Sequence, residues 1–403
     1  MTNIIVVGGG QAGAQAVEVL RREGFDGQIV LVCAEPTLPY QRPPLSKKFL
    51  LGEVSADRLL LRHQAFYDQH QIDLRCGIRA VSLSTSLREI TLSSGQTLCY
   101  DQLLLCLGAS ARKLTTPGAE SPRTRYLRSL ADVEELRPHL RQGARLVIIG
   151  AGYIGLEVAA SARKLGCTVH VLEMSDRVMS RVVASSVSEF FHGVHRAAGV
   201  NIACNVRILD VEDNRGEARI RCSDGSVYDA DIILVGIGAL PNVQLAQNAG
   251  LACDNGIVVD EHCCTSDPLV FAAGDCTSQP SASFEMRVRL ESVDNAVEQS
   301  TAAALNLLGR ATVHDPVPWF WSDQYEHKLL IVGLSQNHDQ QLIRGDPGTG
   351  AFSVCYLKGG VLVAVECVNQ MKDYMAARKL VPQHARPRIE KLADPAIPLK
   401  DAF

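Results

Sequence analysis

The stretch Asn3-Ile4-Ile5-Val6-Val7-Gly8-Gly9-Gly10-Gln11-Ala12-Gly13 decides the fold. A short apolar run of strand character meets glycines at once and then an alanine-rich helical pattern from Gln11 to Arg22. Gly8, Gly10 and Gly13 fit G-x-G-x-x-G, in which the first glycine permits the tight turn, the second lets backbone approach a pyrophosphate, and the third allows close helix packing. A second strand, Ile29 to Cys33, ends at Glu35, an acid placed to accept from ribose hydroxyls. The sequence therefore opens with a βαβ dinucleotide-binding unit.

The same design returns downstream. A strand from Arg145 to Ile149 leads into Gly150-Ala151-Gly152-Tyr153-Ile154-Gly155, a helix from Ile154 to Leu165, a strand from Thr168 to Leu172, and Glu173. Two such units imply two dinucleotides, as a flavoprotein reductase requires: a resident flavin, and a nicotinamide that arrives, donates a hydride and departs. Glu173 repels a 2′-phosphate and favours NADH, with Arg177 and Arg181 close enough in sequence to keep NADPH in view. The fold class expected is α/β, with two Rossmann-like domains for FAD and NADH and a C-terminal α+β domain.

Composition narrows the function. At 403 residues the chain exceeds one average domain, and 46% hydrophobic with 21% charged residues suits sizeable cores. A net charge of -4 gives no global attraction to nucleic acid. Met1-Thr2-Asn3 runs straight into a strand without a signal-peptide pattern, and no apolar stretch has bilayer length. The thirteen cysteines contain no C-x-x-C, and free thiols fit a reducing cytoplasm; each reads as a small buried apolar residue, with none assigned to chemistry. No metal-ligand spacing and no Ser-His-Asp pattern is evident.

Boundaries follow from the punctuation. A strand from Leu103 to Leu107 and the Pro/Gly stretch Thr115 to Arg125 place one near residue 110. A strand from Asp231 to Val235 leads to Gly236-Ile237-Gly238, another from Val270 to Ala272 ends at Gly274-Asp275, and a helix covers Ser292 to Leu308. Strand-like runs at Leu329 to Val332, Phe352 to Leu357 and Val361 to Val365, then a helix from Met371 to Leu380, make a third domain. The segments are 1–110 and 235–312 for the first dinucleotide, 111–234 for the second, and 313–403.

Four stretches carry a family resemblance: Tyr40-Gln41-Arg42-Pro43-Pro44-Leu45-Ser46-Lys47, Gly150 to Glu157, Gly236-Ile237-Gly238-Ala239-Leu240-Pro241-Asn242, and Phe271-Ala272-Ala273-Gly274-Asp275. With Pro318-Trp319-Phe320-Trp321-Ser322-Asp323-Gln324-Tyr325, the chain resembles over its whole length the oxygenase-coupled NADH-dependent ferredoxin, putidaredoxin and rubredoxin reductases of the glutathione reductase fold. The resemblance implies that Arg42 contacts FAD near its pyrophosphate and that Lys47 lies beside flavin N5, paired with Glu157. A fixed cation there stabilises reduced flavin, while Glu157 tethers it and helps place the nicotinamide. Asp275 resembles the aspartate that accepts from a ribityl hydroxyl, and Glu291 and Val293 hold the contact positions at a helix N-terminus aimed at the flavin pyrimidine. Trp321 is the implied flavin neighbour of the two tryptophans, Trp319 and Trp321. Gly8, Gly10, Gly13 and Glu35 complete the FAD set; Gly150, Gly152, Tyr153, Ile154, Gly155, Glu157, Glu173 and Gly238 form the NADH set.

Disulfide reductases of this fold need a cysteine pair shortly after the first glycine motif, and here the loop reads Arg42-Pro43-Pro44-Leu45-Ser46-Lys47 instead. Electrons then leave directly from the flavin. The implied reaction is hydride transfer from NADH to flavin N5, followed by single-electron steps to an acidic [2Fe–2S] ferredoxin that feeds an oxygenase, the reductase being a monomer or weak dimer. Arg62, Arg287, Arg289, Arg310 and Arg344 are candidates for a basic docking rim. Rivals are a rubredoxin reductase or NADH oxidase of the same fold, and a redox-active interaction protein like apoptosis-inducing factor.

Overall fold

The computed structural model describes residues 2–214 and 216–403. The chain divides into two compact units, Met1–Gln41 with Asp57–Ser110 and Leu240–Phe320, and Arg42–Ala56 with Ala111–Ala239 and Trp321–Phe403.

In the first unit a parallel sheet runs in the order Ile72–Cys76, Gln28–Cys33, Asn3–Val7, Gln102–Leu105, Val270–Ala272. Both faces are covered, which is why its central strands are apolar without alternation. One face puts Ile4, Val6, Ile29 and Leu31 under the helices Gln11–Arg22 and Val293–Leu307. The other puts Ile5, Val7, Val30 and Val32 against Leu83, Ile90 and Leu92 of an antiparallel meander, Ala80–Ser84, Glu89–Leu92 and Thr97–Cys99. The strand Asn3–Val7 and the helix Gln11–Arg22 have the bounds that the sequence suggests.

The second unit repeats the plan. Its parallel sheet runs Asn201–Ala203, Thr168–Leu172, Arg145–Ile149, Ile232–Val235, Thr124–Arg125. A meander of Ile208–Asn214, Glu217–Cys222 and Val227–Ala230 covers Val147, Ile149, Ile233 and Val235 with Val211, Ala218 and Ile220. From Trp321 onward the same unit carries a five-stranded sheet in the order Trp319–Gln324, His327–Gly333, Val361–Val368, Ala351–Lys358, Gln340–Asp346, with the helix Met371–Leu380 against it.

Sequence periodicity misses the two meanders and the helix Ser185–Ala197. The meander strands are short and half-exposed, so neither a continuous apolar run nor a long alternation marks them. One docking candidate is overturned here. Arg344 is 4% exposed; it donates to Asp373 at 3.0 Å and to the carbonyls of Leu392, Asp394 and Ile397. It is an internal staple for the chain's last turns, and a guanidinium sunk among carbonyls presents nothing to a partner.

Candidate active site

In each unit the glycine turn lies at the carboxyl end of the central strand. Gly8 N donates to Val32 O at 2.8 Å, and Gly150 N to Leu172 O at 2.8 Å. Gly8 and Gly150 have φ of +124° and +102°, and a Cβ on either would meet a backbone oxygen, Cys106 O at 2.0 Å or Gly236 O at 2.4 Å. Gly13 and Gly155 leave no room either, since their Cβ atoms would sit 1.9 Å from Gly8 O and 2.2 Å from Gly150 O. These four are glycine because the fold demands it.

Gly10 and Gly152 differ. Their φ values, -90° and -76°, suit any residue, and a Cβ on either meets nothing within 4 Å. Each is the N-cap of its helix, without a side-chain cap and without an acid in the first turn. Ser129 and Ser292 cap their helices through their side chains, whereas Ser185–Ala197 and Met371–Leu380 also begin without a side-chain cap, so the open space at Gly10 and Gly152 is what distinguishes these two turns. Two helix N-termini thus keep their amides unclaimed by any capping side chain, behind a residue whose missing side chain the protein does not itself need. A group approaching from outside explains both, and the positive helix end selects an anion.

The terminal acids are both engaged. Tyr40 Oη donates to Glu35 Oε2 at 2.5 Å. Glu173 accepts from Ala151 N at 2.7 Å and Ser175 N at 2.8 Å, so it braces its own glycine turn and retains lone pairs for a ribose. Arg177 is spent inside its loop on Val183 O and Ser180 O, at 2.9 Å each. Arg181 Nη2 lies 3.7 Å from where a Cβ of Gly238 would be, and Gly238 has φ +103°. Ile154, on the first helical turn, is 46% exposed, and Tyr153 precedes it in that turn.

In the first unit, Gly274 turns at φ +85° against Ala12 of the first helix and sets Asp275 beside the glycine turn. Gln299, fully buried, accepts from Gly274 N at 2.7 Å and Thr277 Oγ1 at 2.9 Å. Asn295 Nδ2 reaches Gln299 Oε1 at 3.3 Å, so the Asp275 loop is locked to the helix whose first residue is Val293. Glu291 is exposed and paired with Arg289. Sequence reasoning missed Gln299; a glutamine in mid-helix gives no signal.

In the second unit the Arg42–Lys47 segment reaches the helix Tyr153–Lys164. Lys47 Nζ lies 2.8 Å from Glu157 Oε1, with Glu157 5% exposed. Ser46 Oγ donates to Glu157 Oε2 at 2.5 Å and Ser322 Oγ to Oε1 at 2.7 Å, so three donors fix one carboxylate. Nothing in the sequence marks Ser46 or Ser322 for this role, although both lie in the stretches that carry the family resemblance. Arg42 Nη1 donates to Arg128 O at 2.6 Å. Trp321 is half-buried in the strand Trp319–Gln324. The FAD candidates are therefore divided by unit, with Arg42, Lys47 and Trp321 in the second and the remainder in the first.

A second buried carboxylate lies in the same unit. Burial pushes Glu366 up to about 7, against the opposing hydrogen bonds from Ala184 N at 2.9 Å and Tyr356 Oη at 2.7 Å.

Comparison with known proteins agrees with this geometry. Residues 2–300 match the pyridine nucleotide-disulphide oxidoreductase family, and residues 319–403 match a reductase C-terminal domain. The chain belongs to the pyridine nucleotide-disulphide oxidoreductase family. It is an oxidoreductase, 42% identical to the 5,5'-dehydrodivanillate O-demethylase ferredoxin reductase subunit of a Sphingobium sp., over 98% of this chain and 97% of that one. It is also 42% identical to the rhodocoxin reductase of Rhodococcus erythropolis, over 100% and 94%. The reductase in a crystal structure of the covalent putidaredoxin reductase-putidaredoxin complex superposes with a TM-score of 0.96 at 39% identity, covering 100% of this chain and 98% of that one. This family binds FAD and NAD(P)H, and both glycine turns fit such groups: open space at Gly10 and Gly152, capless amides behind it, and an acid at the next strand end. Among the described residues no cluster of three or more His, Cys, Asp or Glu could hold a metal, and no helix is long and apolar enough to cross a membrane.

Proposed function

We propose that the protein is an FAD-dependent NADH:ferredoxin reductase that serves an oxygenase in the cytoplasm as a monomer or weak dimer. Segments 1–110 and 235–312 take FAD, 111–234 takes NADH, and 313–403 form the C-terminal domain. The observation that carries this reading is the pair of glycine turns, each with one glycine at a helix N-terminus whose missing side chain the fold does not require and a close-approaching ligand does. The Lys47–Glu157 pair supports it. When bound, the flavin accepts a hydride from NADH and passes electrons on singly. Gly10 and the first-helix amides hold the FAD pyrophosphate, Arg42 adds a cation to it, and Glu35 and Asp275 accept from its hydroxyls. Lys47 Nζ supplies fixed positive charge where reduction places negative charge, and Glu157, itself held by Ser46 and Ser322, keeps that cation in one position. Glu291, Val293 and Trp321 border the ring. Gly152, Tyr153, Ile154 and Gly155 cradle the nicotinamide dinucleotide, Gly238 leaves space for it, and Glu173 reads its ribose. Because the Arg42–Lys47 loop holds no cysteine, electrons pass to an outside acceptor without a dithiol relay. The curated relatives named as ferredoxin reductases support a [2Fe–2S] ferredoxin in that place. The test mixes the purified yellow protein with NADH and a panel of iron–sulfur carriers while cytochrome c reduction is followed. Turnover with a [2Fe–2S] ferredoxin is the expected result, and equal rates without any carrier would favour an oxidase.

A further inference from the structure

One cysteine pair is brought together by strand register alone. Cys33 ends the strand Gln28–Cys33, Cys76 ends its parallel neighbour Ile72–Cys76, and the two are register partners. Register partners on parallel strands share a face with Cα atoms about 4.8 Å apart, inside the roughly 4.4–6.8 Å that a disulfide spans. Parallel pairing at this register therefore sets the two side chains next to each other. Cys33 is 1% exposed, whereas Cys76 is half-buried on the sheet's edge strand, which gives solvent a route to one sulfur. The pair also touches the first glycine turn: a Cβ on Gly9 would lie 2.4 Å from Cys33 Sγ, so that sulfur packs directly on the turn's backbone. Beyond the pair, Gly77 N donates to Glu35 O at 2.8 Å and Ile78 N to Cys33 O at 3.0 Å, tying the same strand end to Glu35.

We propose that Cys33 and Cys76 form a reversible redox site, closed to a disulfide by hydroperoxides, which loosens the Gly8–Gly13 turn when oxidised. The Cys76 thiolate attacks a peroxide oxygen, the O–O bond breaks, and Cys76 sulfenic acid forms while the departing oxygen takes a proton and leaves as water or an alcohol. The Cys33 thiol then attacks the sulfenic sulfur, forms the S–S bond and releases water. With hydrogen peroxide, two thiols and one oxidant give one disulfide and two waters. Cys76 is the attacking sulfur because it sits half-buried on the edge strand, where a peroxide can reach it, while Cys33 is buried. A disulfide draws Cβ atoms to about 3.8 Å, so closure turns Cys33 Sγ away from its place on Gly9, and dithiothreitol reaches the bond from the Cys76 side.

The link itself needs only the two strands; its effect on FAD rests on the function proposed above. The experiment treats the holoprotein with hydrogen peroxide at low molar excess, maps thiols by peptide mass spectrometry and follows flavin release by fluorescence. The expected result is a Cys33–Cys76 cross-link before loss of other thiols, faster flavin release, and reversal of both by dithiothreitol. Cys76→Ser should abolish the cross-link and the release, and Cys33→Ala should let Cys76 proceed to sulfinic acid. Cys33 and Cys76 persisting as thiols while others oxidise overturns the site. A cross-link with flavin retention unchanged overturns the switch, and a protein that binds no flavin before treatment overturns the functional reading while the cross-link remains measurable.

Discussion

Replacing Gly152 by alanine separates ligand binding from folding. The backbone there already has φ -76° and ψ -178°, and a methyl meets nothing within 4 Å. Alanine removes unfolded-state freedom, which stabilises by about 0.4–1 kcal/mol, and it is a poorer N-cap than glycine by a similar amount. The two effects offset, so the melting temperature of ligand-free Gly152→Ala should stay within about 2 °C of wild type. The methyl instead occupies the space in front of the helix amides. Losing one hydrogen bond to a charged phosphate, about 1.5–3 kcal/mol, weakens NADH by roughly ten- to two-hundredfold. Gly155→Ala is the contrast, because its methyl would sit 2.2 Å from Gly150 O and should unfold or distort the unit. Thermal melts with and without cofactor, together with an NADH titration, read both effects. If Gly152→Ala binds NADH like wild type, or melts like Gly155→Ala, the argument from empty space is wrong.

Lys47→Ala leaves Glu157 with two hydroxyl donors in place of a cation, and stopped-flow flavin reduction by NADH should slow by about tenfold or more, as it should in Glu157→Ala; unchanged rates in both would remove their proposed roles. NADH should exceed NADPH in kcat/KM, since Glu173 opposes a 2′-phosphate and Arg177 is occupied by its own loop, and a preference for NADPH would overturn that use of Glu173. Glu366 is held at about 7, so between its unfolded value near 4.5 and that pH the native protein keeps a proton the unfolded chain has lost, and stability falls as pH rises through 7. Glu366→Gln should therefore melt like wild type near pH 5 and higher than wild type at pH 8, by on the order of 3 kcal/mol; an equal offset at both pH values would show that ionisation is not the cause.

Both dinucleotide units can be read in the primary sequence because everything that defines them is local: an apolar strand, a glycine turn, a helix and an acid, all within about 35 residues. Gly8, Gly13, Gly150 and Gly155 are fixed by contacts to backbone a few residues away or on the adjoining strand, and a pattern of glycines records that directly. The sequence is silent about which of those glycines the fold needs and which a ligand needs; only the space around Gly10 and Gly152 tells them apart. Lys47 and Glu157 could be paired beforehand only through a family resemblance, and Ser322 reaches the same carboxylate from far along the chain. Arg344 looked like any surface arginine until the fold buried it among terminal carbonyls, and Cys33 and Cys76 looked like ordinary core cysteines until parallel pairing set them side by side. Periodicity and turn chemistry are short-range and survive in the sequence, whereas burial and strand register arise from distant segments packing together, and those decided the environment of every charge and thiol in the proposed sites.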